Sequence, residues 1–231
     1  MKKYTHLFFD LDHTLWDFDK NTSEAIKEIY KLFNLSSWSL FNFHDFMKKF
    51  DEVNGLLWDK FNHGQIDKHE LRDNRFKIIL SKLGLSEREM PNGIAEKYLE
   101  LAPVKQHVIP FTHEILAYLK PKYKLHIISN GFDDIQHIKL KSSNIYQYFE
   151  KIVTSDSSGH RKPQKGIFEF AMSEAGARRE NAIMIGDNLD TDIVGAQNAT
   201  MDHIFFNPGK VKHRYKVTFE INSLKQIMNI L

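Results

Sequence analysis

Five short stretches of the chain fill consecutive positions with apolar, β-branched or aromatic residues and stop at polar or turn residues: "HLFFDL", "LHIIS", "KIVTS", "AIMIG" and "HIFF". Unbroken rather than alternating apolarity marks strands covered on both faces, as in a parallel sheet lying between layers of helix. Helical patterns separate them, among them "THEILAYLKPKY", "DDIQHIKLKSS", "QKGIFEFAMSEAG" and "DTDIVGAQNA". The alternation of β and α from about Phe111 to Phe206 predicts a doubly wound α/β fold, with a three-layer, Rossmann-like parallel sheet at its core. The last stretch, "INSLKQIMNIL", predicts a closing helix with Asn222 or Ser223 as its N-cap.

The pattern changes after the first strand. Long amphipathic repeats, "SEAIKEIYKLF", "FHDFMKKFDEVNGLLWDKF" and "HELRDNRFKIILSKLG", follow one another with no convincing strand between them. The simplest arrangement is a discontinuous α/β core, residues 1–18 and 103–231, interrupted by an all-helical insert at residues 19–102. "LAPVKQHVIP" is the return linker, punctuated by Pro103 and Pro110. The aromatic residues of the insert, including Phe46, Phe50, Trp58 and Phe61, follow helical spacing and are read as its core.

Composition narrows the partners more than the fold. The chain has 231 residues, 42% apolar and 27% charged, as in ordinary soluble globular proteins. Its 32 basic side chains against 30 acidic ones leave a formal charge of +2, which gives no footing to a nucleic-acid polymer or a membrane surface as partner. Cysteine is absent, which removes disulfides, thiolate metal sites and a cysteine nucleophile and agrees with a reducing compartment. The start, "MKKYTHLFFDLD", interrupts its apolar run with acids and reads as neither signal peptide nor membrane span, so a cytoplasmic location is expected.

The ends of the strands carry the chemistry. Asp10, Asp12 and Thr14 are spaced by two, so extended geometry would put them on one face at intervals of roughly 6–7 Å. The second strand runs into Ser129-Asn130-Gly131, the fourth into Asp187-Asn188 with Asp190 and Asp192 beyond, and "KIVTSDSSGHRKP" brings Lys162. In open parallel sheets ligands bind beyond the carboxyl ends of the strands, where these residues fall.

In order and context, "DLDHT", "SNG", "RKP" and "GDNLDTD" resemble the four motifs of the haloacid dehalogenase superfamily, and a helical insert after the first motif resembles its type-1 cap. "DLDHTLWDF" and "IGDNLDTDIVGA" resemble most the branch typified by YjjG and YfnB, nucleotidases acting on pyrimidine nucleoside monophosphates. The resemblance implies a phosphomonoesterase in which Asp10 is the nucleophile and forms an aspartyl-phosphate. It implies Mg2+ held by the Asp10 and Asp187 carboxylates and the Asp12 backbone carbonyl, a site type that suits a hard cation. Asp192 would hold a metal-bound water or orient Lys162. The Asp12 side chain would give a proton to the leaving group and take one from water. Lys162 would supply positive charge, while Thr14, Ser129 and the backbone near Asn130 would donate to phosphoryl oxygens.

His13, between two inward-facing residues, is expected to be structural, and Trp16, Asp17 and Phe18 are the expected gate to the substrate. The partner implied is a small phosphate ester. The alternatives are a phosphomutase or sugar-phosphate phosphatase of the same superfamily and, from another class, a non-catalytic phosphate-binding regulator, which the paired nucleophile and acid argue against. A dehalogenase would need neither magnesium nor an acid at position 12.

Overall fold

The computed structural model describes residues 4–231. In chain order it contains strand β1 (His6–Phe9) and helices α1 (Phe18–Leu32), α2 (Phe43–Asn62), α3 (Lys68–Lys82), α4 (Ile94–Leu101) and α5 (Thr112–Leu119). Then come β2 (Lys124–Ser129), α6 (Asp133–Ser142), β3 (Phe149–Thr154), the single turn α7 (Ser155–Ser158), α8 (Lys165–Ala175), β4 (Ala182–Gly186), α9 (Val194–Asn198), β5 (Asp202–Phe206) and β6 (Phe219–Ile221). Contacts divide the chain into two units, one of residues 1–18 and 106–231, the other of residues 19–105.

The first unit is a six-stranded, wholly parallel sheet in the order β3-β2-β1-β4-β5-β6. The unbroken apolar runs have the predicted cause. Leu7 and Phe9 of β1 face a cluster with Ile127, Ile185 and the α5 residues Ile115, Leu116 and Leu119, while Phe8 faces the opposite layer with Met184 and the α8 residues Ile167 and Phe168. The three-layer α/β architecture is therefore the one the sequence predicts. The chain moves outward from β1 to β2 and β3, then returns to place β4 on the other side of β1. The carboxyl end of β1 is thus the point where strand order reverses, the place where ligands bind in such sheets.

Some elements differ from expectation. The closing segment is a six-residue 3₁₀ helix, Leu224–Asn229, rather than an α-helix. Its two buried residues, Leu224 and Ile227, are three apart, the period of a 3₁₀ turn, and Gln226 accepts from the backbone N–H groups of Asn222 and Ser223. β6 was not expected, being three residues long with only Ile221 buried, a short edge strand with too little pattern to register. Pro121 stops α5 before the predicted "KPKY" tail.

The second unit is helical throughout, with α4 as an unpredicted eight-residue helix. Asn42 and Asp67 cap α2 and α3, each in a reciprocal capping box with the acid three residues on, Asp45 and Glu70. Phe46, Phe50 and Phe61 are buried, as their spacing predicts, whereas Trp58 is only half-buried, its ring edge-on to Phe61. Among the described residues no helix is long and apolar enough to cross a membrane.

Candidate active site

β1 ends at Phe9, and the next residue, Asp10, is anchored by its N–H to the Ile185 carbonyl of neighbouring β4 at 2.9 Å. The backbone leaves extended geometry soon afterwards. His13 sits at φ 65°, its N–H donates to the Trp16 carbonyl, and the N–H groups of Leu15 and Trp16 both reach back to Leu11. This tight turn separates the directions of Asp10 and Asp12 that a continuing strand would have kept together.

Asp10 turns to a buried lysine. Lys162 Nζ donates to Asp10 Oδ1 at 2.5 Å, to Asp192 Oδ1 at 2.7 Å and to the Ile128 carbonyl at 3.0 Å, using all three of its protons. The loop carrying it is fixed by Asn130, whose amide donates to the Lys162 carbonyl at 2.9 Å and accepts from the Lys162 N–H at 2.7 Å. The Asn130 side chain is therefore a brace for the lysine, while the expected phosphate contact at this position is one of its backbone N–H. Asp192 is brought in by a π-helical turn, Leu189–Ile193, that follows β4; its Oδ2 accepts from the Asn188 N–H at 3.1 Å. Gly186 makes this approach possible, since a Cβ there would collide with the Asp192 carboxyl group.

Carboxylate oxygens of Asp10, Asp187 and Asp192 lie within 4.8 Å of one another. Burial raises the pKa of Asp10, with Lys162 opposing and the Asp192 charge adding to the rise. Burial likewise raises Asp187, reinforced by Asp10, and raises Asp192 against the pull of Lys162. Three carboxylates face one ammonium, with His13 the other group whose charge favours ionised Asp187, so acids outnumber bases in the cluster. An oxygen-only donor set with surplus negative charge fits a hard divalent cation. The third carboxylate of the cluster is Asp192, where the resemblance implied the backbone of Asp12.

Two hydroxyl groups take different directions. Ser129 Oγ accepts from the Gly131 N–H at 3.0 Å and from Gln136 Nε2 at 2.5 Å, which leaves its own proton to be donated. Thr14, fully buried, instead donates to Asp187 Oδ1 at 2.9 Å. Thr14 thereby holds Asp187 in place.

Asp12 meets side chains that sequence reasoning did not single out. Lys139 Nζ donates to its Oδ1 at 2.6 Å and Gln136 Nε2 to its Oδ2 at 3.1 Å. Lys139 also lies 4.4 Å from the centroid of the Trp16 ring. Trp16, expected at a gate, is buried in the sheet core, and the Asp17 N–H donates to the His107 carbonyl. Gln136, Lys139 and Leu140 form the buried face of α6 at spacing i, i+3, i+4, continued by Ser143 at its C-cap, while Ile138 is exposed. A polar pair on that face, with an isoleucine outside it, was the available signal.

Comparison with known proteins agrees with this geometry. Residues 4–200 match the sequence pattern of the haloacid dehalogenase-like hydrolases. The chain is 27% identical over 99% of its length to pyrimidine 5′-nucleotidase YjjG of Escherichia coli, covering 98% of that protein. It is 32% identical over 87% of its length to a glyceraldehyde 3-phosphate phosphatase of Methanothermobacter thermautotrophicus, covering 84% of it. The crystal structure of the HAD-hydrolase YfnB of Bacillus subtilis, bound to magnesium, superposes with a TM-score of 0.88 at 27% identity, covering 99% of each chain. With its motifs gathered at the switch point of a parallel sheet, the chain belongs to the haloacid dehalogenase-like hydrolases.

Proposed function

We propose that the protein is a magnesium-dependent phosphomonoesterase that works through an aspartyl-phosphate on Asp10, and that its substrates are pyrimidine nucleoside 5′-monophosphates. The observation that carries the chemistry is the pairing of Asp10 with Lys162 in a buried cluster, with a second, separately held acid at Asp12. Asp10 Oδ attacks phosphorus, and the bond from phosphorus to the ester oxygen breaks as Asp12 passes that oxygen a proton. Water then attacks the aspartyl-phosphate, Asp12 takes its proton, and inorganic phosphate leaves with Asp10 restored.

Lys162 steadies Asp10 and supplies positive charge beside it, while Ser129 has a proton to donate to a phosphoryl oxygen. Asp10, Asp187 and Asp192 are the residues that would hold Mg2+, which when bound supplies positive charge to the transferring group. Thr14 keeps Asp187 turned toward the cluster. Dry, fixed positioning of this kind accounts for most catalysis of phosphoryl transfer.

The nucleotide preference is supported by the likeness to YjjG. A sugar-phosphate phosphatase is the second reading, favoured by the 32% identity to the glyceraldehyde 3-phosphate phosphatase. A phosphate-release screen of nucleoside monophosphates and sugar phosphates with Mg2+ separates them. Turnover of UMP or dUMP well above glyceraldehyde 3-phosphate supports the first; the reverse order selects the second. Full activity in excess chelator would overturn the metal-dependent chemistry altogether.

A further inference from the structure

One side-chain amide joins the two halves of the candidate chemistry. Gln136 of α6, fully buried, donates from Nε2 to Ser129 Oγ at 2.5 Å and to Asp12 Oδ2 at 3.1 Å. The proposed phosphate donor and the proposed proton carrier therefore hang on a single nitrogen. An amide nitrogen carries two protons, and both are used. Asp12 sets the orientation of the amide: an ionised carboxylate only accepts, so the nitrogen and not the carbonyl oxygen of Gln136 has to face it.

On Ser129 the effect is to fix a direction. A hydroxyl has one proton to give and two lone pairs to fill. The Gly131 N–H at 3.0 Å fills one and Gln136 the other, so the proton is confined to the remaining position about Oγ. On Asp12 the effect is to hold one oxygen while Lys139 Nζ holds the other at 2.6 Å, which stops the carboxylate turning about its own bond. Packing alone asks for neither duty, since a leucine or methionine would fill this buried position without a polar group to satisfy. The chain also keeps room for the amide. A Cβ on Gly131 would lie 2.3 Å from Gln136 Nε2 and 2.4 Å from its Cδ, although the Gly131 backbone is not left-handed. The Gln136 head group, and not the backbone conformation, is what requires glycine there.

We propose that Gln136 is a positioning residue for phosphoryl transfer that acts through two groups at once, aiming the Ser129 proton at the transferring phosphoryl group and holding the Asp12 carboxylate beside the leaving oxygen. This rests on the phosphomonoesterase reading and adds the residue through which phosphate binding and proton transfer are coupled. Loss of the amide then has two separable consequences. The Ser129 part falls on every ester alike, because every ester presents the same phosphoryl oxygens. The Asp12 part falls on esters whose leaving oxygen needs a proton.

Steady-state kinetics of the full chain with Mg2+ test the assignment, with melting curves to verify folding. Gln136→Met keeps the length of the side chain and removes both donors. It is expected to lower kcat/KM about tenfold for p-nitrophenyl phosphate, the scale of one hydrogen bond to a charged group, and by a larger factor for an alkyl phosphate, whose poor leaving group depends on Asp12. Ser129→Ala is expected to cost p-nitrophenyl phosphate about as much, and adding Gln136→Met to it no more, because the amide then has no hydroxyl to aim. Gly131→Ala pushes the amide aside with Gln136 intact. It is expected to reproduce the Gln136→Met pattern and to lose its effect in Gln136→Ala, where the space is open, and it decides the matter if Gln136→Met does not fold. Undiminished activity in folded Gln136→Met, equal losses for the two esters, or losses that add to those of Ser129→Ala would each overturn the role. Calorimetric titration with inorganic phosphate and Mg2+ separates this from the reading beneath it. Phosphate binding weakened alike by Gln136→Met and Ser129→Ala, with no phosphate released from any ester by the unaltered protein, would sink the phosphomonoesterase reading and leave the hold of Gln136 on Ser129 standing.

Discussion

At the scale of single residues, Asp12 depends on one helix for its orientation, because both its oxygens are held by α6. Lys139→Met should leave Asp12 in place but free to turn away from a leaving group. The expected result is a drop in kcat/KM of about tenfold or more for a poor leaving group such as an alkyl phosphate, with a smaller drop for p-nitrophenyl phosphate, which needs little proton assistance. Equal losses for both substrates would assign Lys139 to structure alone. At Asp10 the expectation is simpler: Asp10→Asn should abolish turnover of both esters while the melting temperature is kept, and substantial residual activity would remove it as nucleophile. The sequence displayed Asp10, Asp187, Asp192, Ser129 and Lys162 because each follows a strand or sits in a loop where a buried-sheet pattern breaks off. It hid Gln136 and Lys139, since a glutamine and a lysine three apart on a helix look like any solvated face until the packing shows that face turned inward. The spacing of Thr14 from Asp12 did not show its partner either, because the left-handed turn at His13 is followed by a Thr14 side chain that meets Asp187.

At the scale of elements, the sheet core was readable and its edge was not. Runs such as "AIMIG" announce themselves because both faces are covered, but β6, with one buried residue, carries no such run, and the 3₁₀ close at Leu224–Asn229 needs only two apolar positions. His6 of β1 and His126 of β2 share a buried hydrogen bond, Nδ1 to Nε2 at 3.1 Å, which requires one ring to donate and the other to accept. Burial, reinforced by the charge His6 would carry and by nearby lysines, pushes the His126 pKa down to about 3, and burial lowers His6 as well. The folded state thus refuses protons that the unfolded chain binds below about pH 6.5, so stability from this pair is present above that value and falls as the solution is acidified toward pH 3. Replacing His126 by Phe should flatten the slope of stability against pH in that window by up to about 1.4 kcal/mol per pH unit for each proton removed from the balance. Urea melts at pH 7 and pH 5 measure it; an unchanged slope would mean that the pair accepts protons while folded.

At the scale of the whole molecule, the candidate metal cluster and the helical insert belong to different units. Asp10, Asp187 and Asp192 all lie in the α/β unit, while residues 19–105 have a core of their own built from residues such as Phe46, Phe50 and Phe76. A ligand that binds only the folded form stabilises the unit that binds it, by about 2.7 kcal/mol when present at a hundred times its dissociation constant. The three carboxylates have raised pKa values, so the folded cluster holds more protons than the unfolded chain between the ordinary carboxylate value and the raised ones. Their contribution to stability is therefore full in acid and is lost as pH rises through that window, leaving the cluster most strained by its own charge near neutrality. Magnesium should consequently raise the melting temperature most at neutral to mildly alkaline pH and progressively less toward pH 4, where protons occupy the same oxygens. The tryptophans allow the units to be followed separately, Trp16 lying in the α/β unit and Trp38 and Trp58 in the helical one. With Trp38 and Trp58 replaced by Phe, the Trp16 signal should report the magnesium shift of the α/β unit in full. Asp187→Asn should remove most of the shift without lowering the midpoint of the metal-free protein, because it also removes one of the mutually repelling charges. A shift that survives in Asp187→Asn, or that grows as the solution is acidified, would place the ion somewhere other than this cluster.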